Sequence, residues 1–260
     1  MRTIDYFKPQ SLDEVWELKA QFPGARYIAG GTDLMVKMKN REVKPSALIS
    51  LRSVPELTGI TIEETIRIGA MTTITDLITH PELGNIFPVL IQAARRLGSP
   101  QIRNAGTVGG NLCNCSPCAD TAQVLLVLDA ALVIRNASGS KTIDLCDFFV
   151  GPGESCLASN ELLTEIILHP SAPNTRAVFL KKGRVKMDLA IASVAVLLVM
   201  NEDKCIKARF SAGSVAPVPL RLSKVEELFN DAVISNELIK EAQSIAMKSV
   251  AAITDVRSTE

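Results

Sequence analysis

Apolar and polar positions along this chain follow two periods, and the period changes from element to element. Ser11-Leu-Asp-Glu14 has the pattern of a capping box. Val15, Leu18 and Phe22 then recur at helical spacing up to Pro23-Gly24, so a capped helix is expected there. Arg26–Ala29 and Ala47–Leu51 read as short strands, Leu34–Met38 as a helical turn, and Gly59–Ala70 as a hairpin around Glu63-Glu64. Thr73–Thr79 and Phe87–Leu97 read as helices, the second with Leu90, Ile91, Ala94 and Leu97 on one face. Gly98-Ser99-Pro100 stops it, and a long loop rich in glycine and asparagine is expected up to Asp120. Ala119–Leu128 is a helix with a strongly apolar face. Ala131–Arg135 and Lys141–Leu145 form a hairpin, Phe148–Glu154 a loop, and Glu161–Leu168 a strand.

After His169-Pro170 the texture changes. Ala177–Lys182, Ala190–Met200 and Lys204–Ala212 read as three strands, the middle one almost wholly apolar and therefore central. Val225–Phe229 and Glu237–Val250 read as helices on that sheet, which makes a small α+β unit. The boundary is placed near residue 173. Residues 1–173 form a first half, with subdomains of about 1–55 and 56–173, and residues 174–260 the second.

Composition narrows the partners. Apolar residues make up 47% and charged residues 22%, as in an ordinary globular protein, and 28 basic residues balance 28 acidic ones. That balance, with only 4% aromatics, gives no footprint for nucleic acid or an anionic membrane. The N-terminus has no apolar signal region, and the longest apolar run, Leu189–Met200, is about 12 residues, too short to span a bilayer. Six cysteines without a secretion signal point to reduced thiols in the cytoplasm. His80 and His169 each precede a proline and share no metal-ligand spacing, and no acid–base pair or catalytic triad is visible.

Two glycine-rich stretches carry the candidate chemistry. Ala29-Gly-Gly-Thr-Asp-Leu34 joins a strand to a helical turn, where free backbone N–H groups suit an anion such as a phosphate. The other runs from Gly106-Thr-Val-Gly-Gly-Asn-Leu to Ser116-Pro and Ala119-Asp120. Together they resemble the FAD-binding (medium) subunits of molybdenum hydroxylases, a family that includes those of xanthine dehydrogenase and carbon monoxide dehydrogenase. Gly69-Ala-Met-Thr-Thr73, Met187-Asp-Leu-Ala190, Gly213-Ser-Val-Ala-Pro217 and Thr254-Asp-Val-Arg-Ser258 extend the resemblance over essentially the whole chain.

The resemblance implies an α+β fold: a two-subdomain FAD-binding half of the PCMH, vanillyl-alcohol-oxidase-like type, followed by a small α+β C-terminal domain. It implies FAD held by Ala29, Gly30, Gly31, Thr32, Asp33 and Leu34, and by Thr107, Gly109, Gly110 and Asn111. Cys113 would lie near the isoalloxazine, Asp120 would face the cofactor, Leu162 or Leu163 would line the adenine pocket, and Lys181 would lie near the flavin. Asp120 is equally well placed to interact with a helix dipole. As partners the resemblance implies a subunit with [2Fe-2S] clusters and a molybdenum-cofactor subunit, with NAD⁺ or another molecule as electron acceptor. Cys113, Cys115 and Cys118 depart from the family's small residues and have the spacing of cluster ligands, without an obvious fourth. Met187 replaces a usual glycine, and the chain stops at Glu260, where relatives continue. Two alternatives stay open: a stand-alone flavin oxidase or reductase of the same fold, and a flavin-free structural subunit.

Overall fold

The fold is taken from a computed structural model, which describes residues 4–185 and 187–251. Ser11 accepts the Glu14 N–H and caps helix α1 (Leu12–Gln21). The Glu14 carboxylate takes the Gln10 N–H instead of that of Ser11, so the expected box is only half closed. Around α1 run strand β1 (Asp5–Phe7), strand β2 (Arg26–Ile28), helix α2 (Leu34–Lys39) and strand β3 (Ala47–Ser50). The strands form a parallel sheet in the order β1-β3-β2, and all four positions of the central strand are buried.

The next part is an antiparallel sheet with helices on one side. Its strands are β4 (Ile60–Ile62), β5 (Ile66–Gly69), β6 (Ala131–Asn136), β7 (Gly139–Asp144) and, after a short hairpin of β8 (Phe149–Gly151) and β9 (Glu154–Ser155), β10 (Leu162–Leu168). The order is β4-β5-β10-β6-β7. The helices are α3 (Ile74–Thr79), α4 (Leu83–Ile86), α5 (Pro88–Arg96), α6 (Pro100–Ala105), α7 (Val108–Cys113) and α8 (Asp120–Val127).

Two expectations fail here. The glycine–asparagine stretch is not one long loop, because Ser99 caps α6 and Thr107 caps α7 through their side-chain oxygens. Capping and tertiary packing outweigh the low helix propensity of Gly109 and Gly110. Phe148–Glu154 is not simply loop either, since Phe149 and Gly151 pair with β9.

The third sheet is built from β11 (Thr175–Lys182), β12 (Ala192–Asn201) and β13 (Lys204–Gly213), with the apolar β12 in the middle as expected. It is larger than three strands: β14 (Leu220–Arg221) and β15 (Ala232–Val233) both pair with β13. Helices α9 (Ser223–Phe229) and α10 (Asn236–Ser249) cover its outer side. Its inner side, with Phe179, Ala195, Leu197 and Val199, enters the same core as α5 and α8. Helix α8 is therefore buried at every position, including Asp120, Thr121 and Gln123, not on one face alone. Among the described residues no helix is long and apolar enough to cross a membrane. The stretch Thr254–Ser258 lies outside the described residues.

Candidate functional site

The two glycine stretches meet, and their glycines explain how. A Cβ on Gly30 would overlap the Ala105 carbonyl at the end of α6. A Cβ on Gly109 would lie 2.7 Å from the Ala70 oxygen, which already accepts the Gly109 N–H at 2.9 Å. These glycines let backbone pack on backbone. Gly31 differs: it has φ +75°, and an added Cβ there would touch only the side chains of Ile28 and Met35.

The two stretches spend their N–H groups differently. Val108 donates to the Thr72 carbonyl, Gly109 to Ala70, Gly110 to the Thr107 hydroxyl and Asn111 to the Thr107 carbonyl. That segment has its donors committed to the protein. Among the described residues, the N–H groups of Gly30, Gly31, Thr32 and Asp33 donate to no protein acceptor. They are the open end of the strand-to-helix turn, where a bound anion is favoured.

Side chains stitch the stretches together. Lys37 Nζ donates to Asn114 Oδ1 at 2.7 Å, and Asn114 Nδ2 to Asp33 Oδ1 at 3.1 Å. Asn111 Oδ1 accepts the Thr121 hydroxyl at 2.6 Å, which fixes α7 against the first turn of α8. The result is a groove of about 690 Å³, within the range of small-molecule and cofactor sites. The whole Ala29–Leu34 turn, Thr107, Gly109, Gly110, Asn111, Cys113 and Leu163 line it. Leu162 lines it too, beside a register shift in β10 that follows Leu163.

Asp120 and Lys181 are not on that groove. They form an ion pair of 2.6 Å between α8 and β11, with side chains only 5% and 6% exposed. Burial pushes the Asp120 carboxyl up to about 6 even though the Lys181 ammonium opposes the shift. Its Oδ1 is buried without a hydrogen-bond partner. Lys181 Nζ also donates to the Arg96 carbonyl at 3.2 Å. The C-terminal sheet grips the other end of α8 as well. Arg221 donates to the Leu126 carbonyl at 2.8 Å, and Asp129, just past the helix, takes Lys207, Arg209 and Arg221. Burial alone would raise the pKa of Asp129; the hydrogen bonds from Lys207 and Arg209 and the charge of Arg221 outweigh it and hold the carboxyl below its usual value.

The cysteine run does not converge. Cys113 opens on the groove, Cys115 is buried with φ +48°, and the Cys118 sulfur sits 3.1 Å from the Ser116 hydroxyl. Among the described residues the trio whose ligand atoms do converge is Asp144, Cys146 and Asp147, all exposed. Cys113 is exposed and lines the groove. The packing around it, with Cys115 and Cys156 nearby, pushes its thiol above the usual range, away from the thiolate. The groove therefore offers binding chemistry: free N–H groups, an ammonium and apolar walls.

Tyr27, Lys37 and Asn114 are among the groove residues that the sequence reading did not assign to the site. Lys37 and Asn114 are 77 positions apart, and only the fold brings them together. Tyr27 follows strand alternation, but nothing in the sequence marks its hydroxyl, which is buried, unpaired and pushed up to about 12 by burial.

A strand-to-helix turn with open N–H groups, docked against a second glycine segment over a long groove, defines a nucleotide-cofactor site. Comparison with known proteins identifies which kind. The profile of the FAD binding domain in molybdopterin dehydrogenase matches residues 2–171, and that of the CO dehydrogenase flavoprotein C-terminal domain residues 177–260. The nicotinate dehydrogenase FAD-subunit of Eubacterium barkeri is 33% identical over 92% of this chain and 84% of its own length. The carbon monoxide dehydrogenase medium chain of Hydrogenophaga pseudoflava is 32% identical over 97% of this chain and 87% of its own. A solved structure of carbon monoxide dehydrogenase from that organism, lacking the Mo-pyranopterin moiety, superposes with a TM-score of 0.96 at 31% identity, covering 99% of this chain and 90% of that one. The chain belongs to the FAD-binding subunits of the molybdenum hydroxylases, and is an oxidoreductase subunit with FAD as its cofactor.

Proposed function

We propose that the groove holds FAD without a covalent link, with the Ala29–Leu34 turn at the pyrophosphate. The observation that carries this is the contrast in donors: Gly30 to Asp33 keep their N–H groups free, whereas Val108 to Asn111 do not. In this reading Thr107, Gly109, Gly110 and Asn111 shape the groove wall and hold it against β5 and α8. Lys37, held by Asn114, adds a positive charge beside the turn, and Leu162 and Leu163 give the adenine an apolar wall. Asp120 and Lys181 act from behind the groove, by fixing the first turn of α8, to which Asn111 is hydrogen-bonded through Thr121.

FAD supplies electron-transfer chemistry that no side chain here provides. The chain positions the cofactor, takes electrons from [2Fe-2S] clusters of a partner subunit and passes them to NAD⁺ or another acceptor. A further subunit carries the molybdenum cofactor, a group that belongs to the related carbon monoxide dehydrogenase of Hydrogenophaga pseudoflava. Six free cysteines, three of them exposed, suit the reducing cytoplasm. The chain divides functionally near residue 173, between the two matched profiles.

Visible absorption of the purified chain tests this reading. Flavin bands are expected, with bleaching on NADH if the acceptor is a nicotinamide, and iron–sulfur and molybdenum subunits should co-purify. A colourless chain that cannot be reconstituted with FAD overturns it.

A further inference from the structure

A second cleft, of about 990 Å³, lies between α4 and α5 on one side and the end of β11 with residues 183–185 on the other. Arg95, Arg96, Lys181, Lys182 and Arg184 line it, and no carboxylate does. The chain as a whole is neutral, with 28 basic and 28 acidic residues, so this concentration of charge is local. Lys181 is occupied by Asp120, and Arg184 by Asp188 at 2.6 Å. Among the described residues Arg95, Arg96 and Lys182 make no ion pair, although the charge of Arg96 is felt by Asp120, and all three are exposed.

Arginines in the last turn of a helix are ordinarily explained by the helix dipole. That accounts for Arg95 and Arg96 but not for Lys182, which comes from a strand to face the same space. Guanidinium groups present paired donors that match phosphate oxygens. Pro88, Ile91 and Val185 add apolar wall for the uncharged part of a ligand. A concave space of this size suits a small molecule better than a protein surface.

We infer that this cleft is a docking site for a phosphate-bearing small molecule, held by Arg95, Arg96 and Lys182. The site backs onto the cofactor groove: Arg96 lines the cleft and the next residue, Leu97, lines the groove. Lys181 likewise faces the cleft while its ammonium holds Asp120 behind the groove. That position suits the electron acceptor. The acceptor role rests on the function proposed above; the phosphate binding does not.

The test is calorimetric titration of the chain as purified with ADP, inorganic pyrophosphate and adenosine, with FAD content read separately from the absorption spectrum. ADP and pyrophosphate are expected to bind and adenosine not to. Raising salt from 50 to 200 mM should weaken ADP binding about tenfold, since exposed charges are screened. The pair Arg95→Gln and Lys182→Gln should weaken it at least about tenfold with FAD content unchanged, one lost charge-assisted contact being of that order. Adenosine binding as tightly as ADP, or ADP binding that ignores salt, overturns the inference. So does binding untouched by the double variant, which would place the phosphate in the cofactor groove. Loss of flavin colour with ADP binding intact would count against the cofactor reading alone.

Discussion

The turn at Ala29–Leu34 and the capped helix that begins at Thr107 are both rich in glycine, yet they solve opposite problems. In the first, four successive N–H groups are left without protein acceptors. In the second, Thr107 and the carbonyls of Ala70 and Thr72, between β5 and α3, use the donors up. A glycine-rich stretch is thus not by itself a phosphate cradle. Gly109, its donor satisfied, serves close backbone approach; Gly31, its donor free, serves a ligand; Gly30 does both, packed on the Ala105 carbonyl with its N–H free. Substitutions separate these roles, because one should act on the fold and the other on the cofactor.

The largest effect is expected from Gly30→Ala, which drives a Cβ into the Ala105 carbonyl, a backbone atom that cannot turn aside. A loss of about 3 kcal/mol or more is expected, a fall in melting temperature of roughly 6–12 °C. Gly109→Ala should come close to it, since its Cβ meets Ala70. Thermal melts of the apo chain check both. Should Gly30→Ala melt like the parent, the packing role assigned to this glycine is wrong.

Next comes the pair that anchors α8 behind the second segment. Lys181→Met leaves the Asp120 carboxylate buried without its counter-charge, at a cost of about 3 kcal/mol. Asp120→Asn added to it should restore most of that. The pH dependence has a definite sign. Because burial raises the Asp120 carboxyl from 3.8 to about 6, the folded state binds its proton more tightly than the unfolded chain. The contribution of this carboxyl to stability is therefore fully present below about pH 4 and is lost as pH rises through about 6. Stability of the parent relative to Asp120→Asn, followed by urea unfolding between pH 4 and 7, should fall along that window. A relative stability that rises instead would mean that the ion pair outweighs burial.

A good deal of this was legible in the sequence, for identifiable reasons. Strands such as β12, long and nearly all apolar, and helices such as α5, with a clear apolar face, announce themselves through periodicity. Both glycine segments were recognisable, and both line one groove. The helices at Pro100–Ala105 and Val108–Cys113 were not, because each is six residues long and depends on one cap and on packing against distant segments. Composition shows which stretches are special but not which N–H groups remain free. That depends on Ala70 and Thr72, far away in the chain. Asp120 and Lys181 were picked out as cofactor contacts, whereas the fold spends them on each other.

A smaller pair of substitutions sharpens the contrast. Gly31→Ala meets only movable side chains, so its cost is the left-handed backbone, about 1–2 kcal/mol. It should lower FAD retention far more than a loss of that size explains, because it reorients the free N–H groups. Thr107→Val removes the cap of α7, about 1 kcal/mol, and should lower stability with little change in FAD affinity per folded molecule. Equilibrium dialysis of FAD alongside melts distinguishes the two. Equal losses of affinity from both would erase the distinction between the segments.

The smallest effect tests whether the two segments act as one. Asn114 bridges them, accepting from Lys37 and donating to Asp33, and it is only half-buried. Asn114→Ala removes both bonds at a cost of about 1 kcal/mol or less, since water can replace them in part. Its signature should be dynamic: faster amide exchange at Met35 and Lys37, whose N–H groups donate to the Gly31 and Asp33 carbonyls, and in α7, with the rest of the chain unchanged. It releases Lys37 and Asp33 without touching a free N–H group, so FAD binding should weaken by only a few-fold. Exchange that quickens in α7 alone would mean that the turn holds its shape unaided, and that the groove is two independent walls.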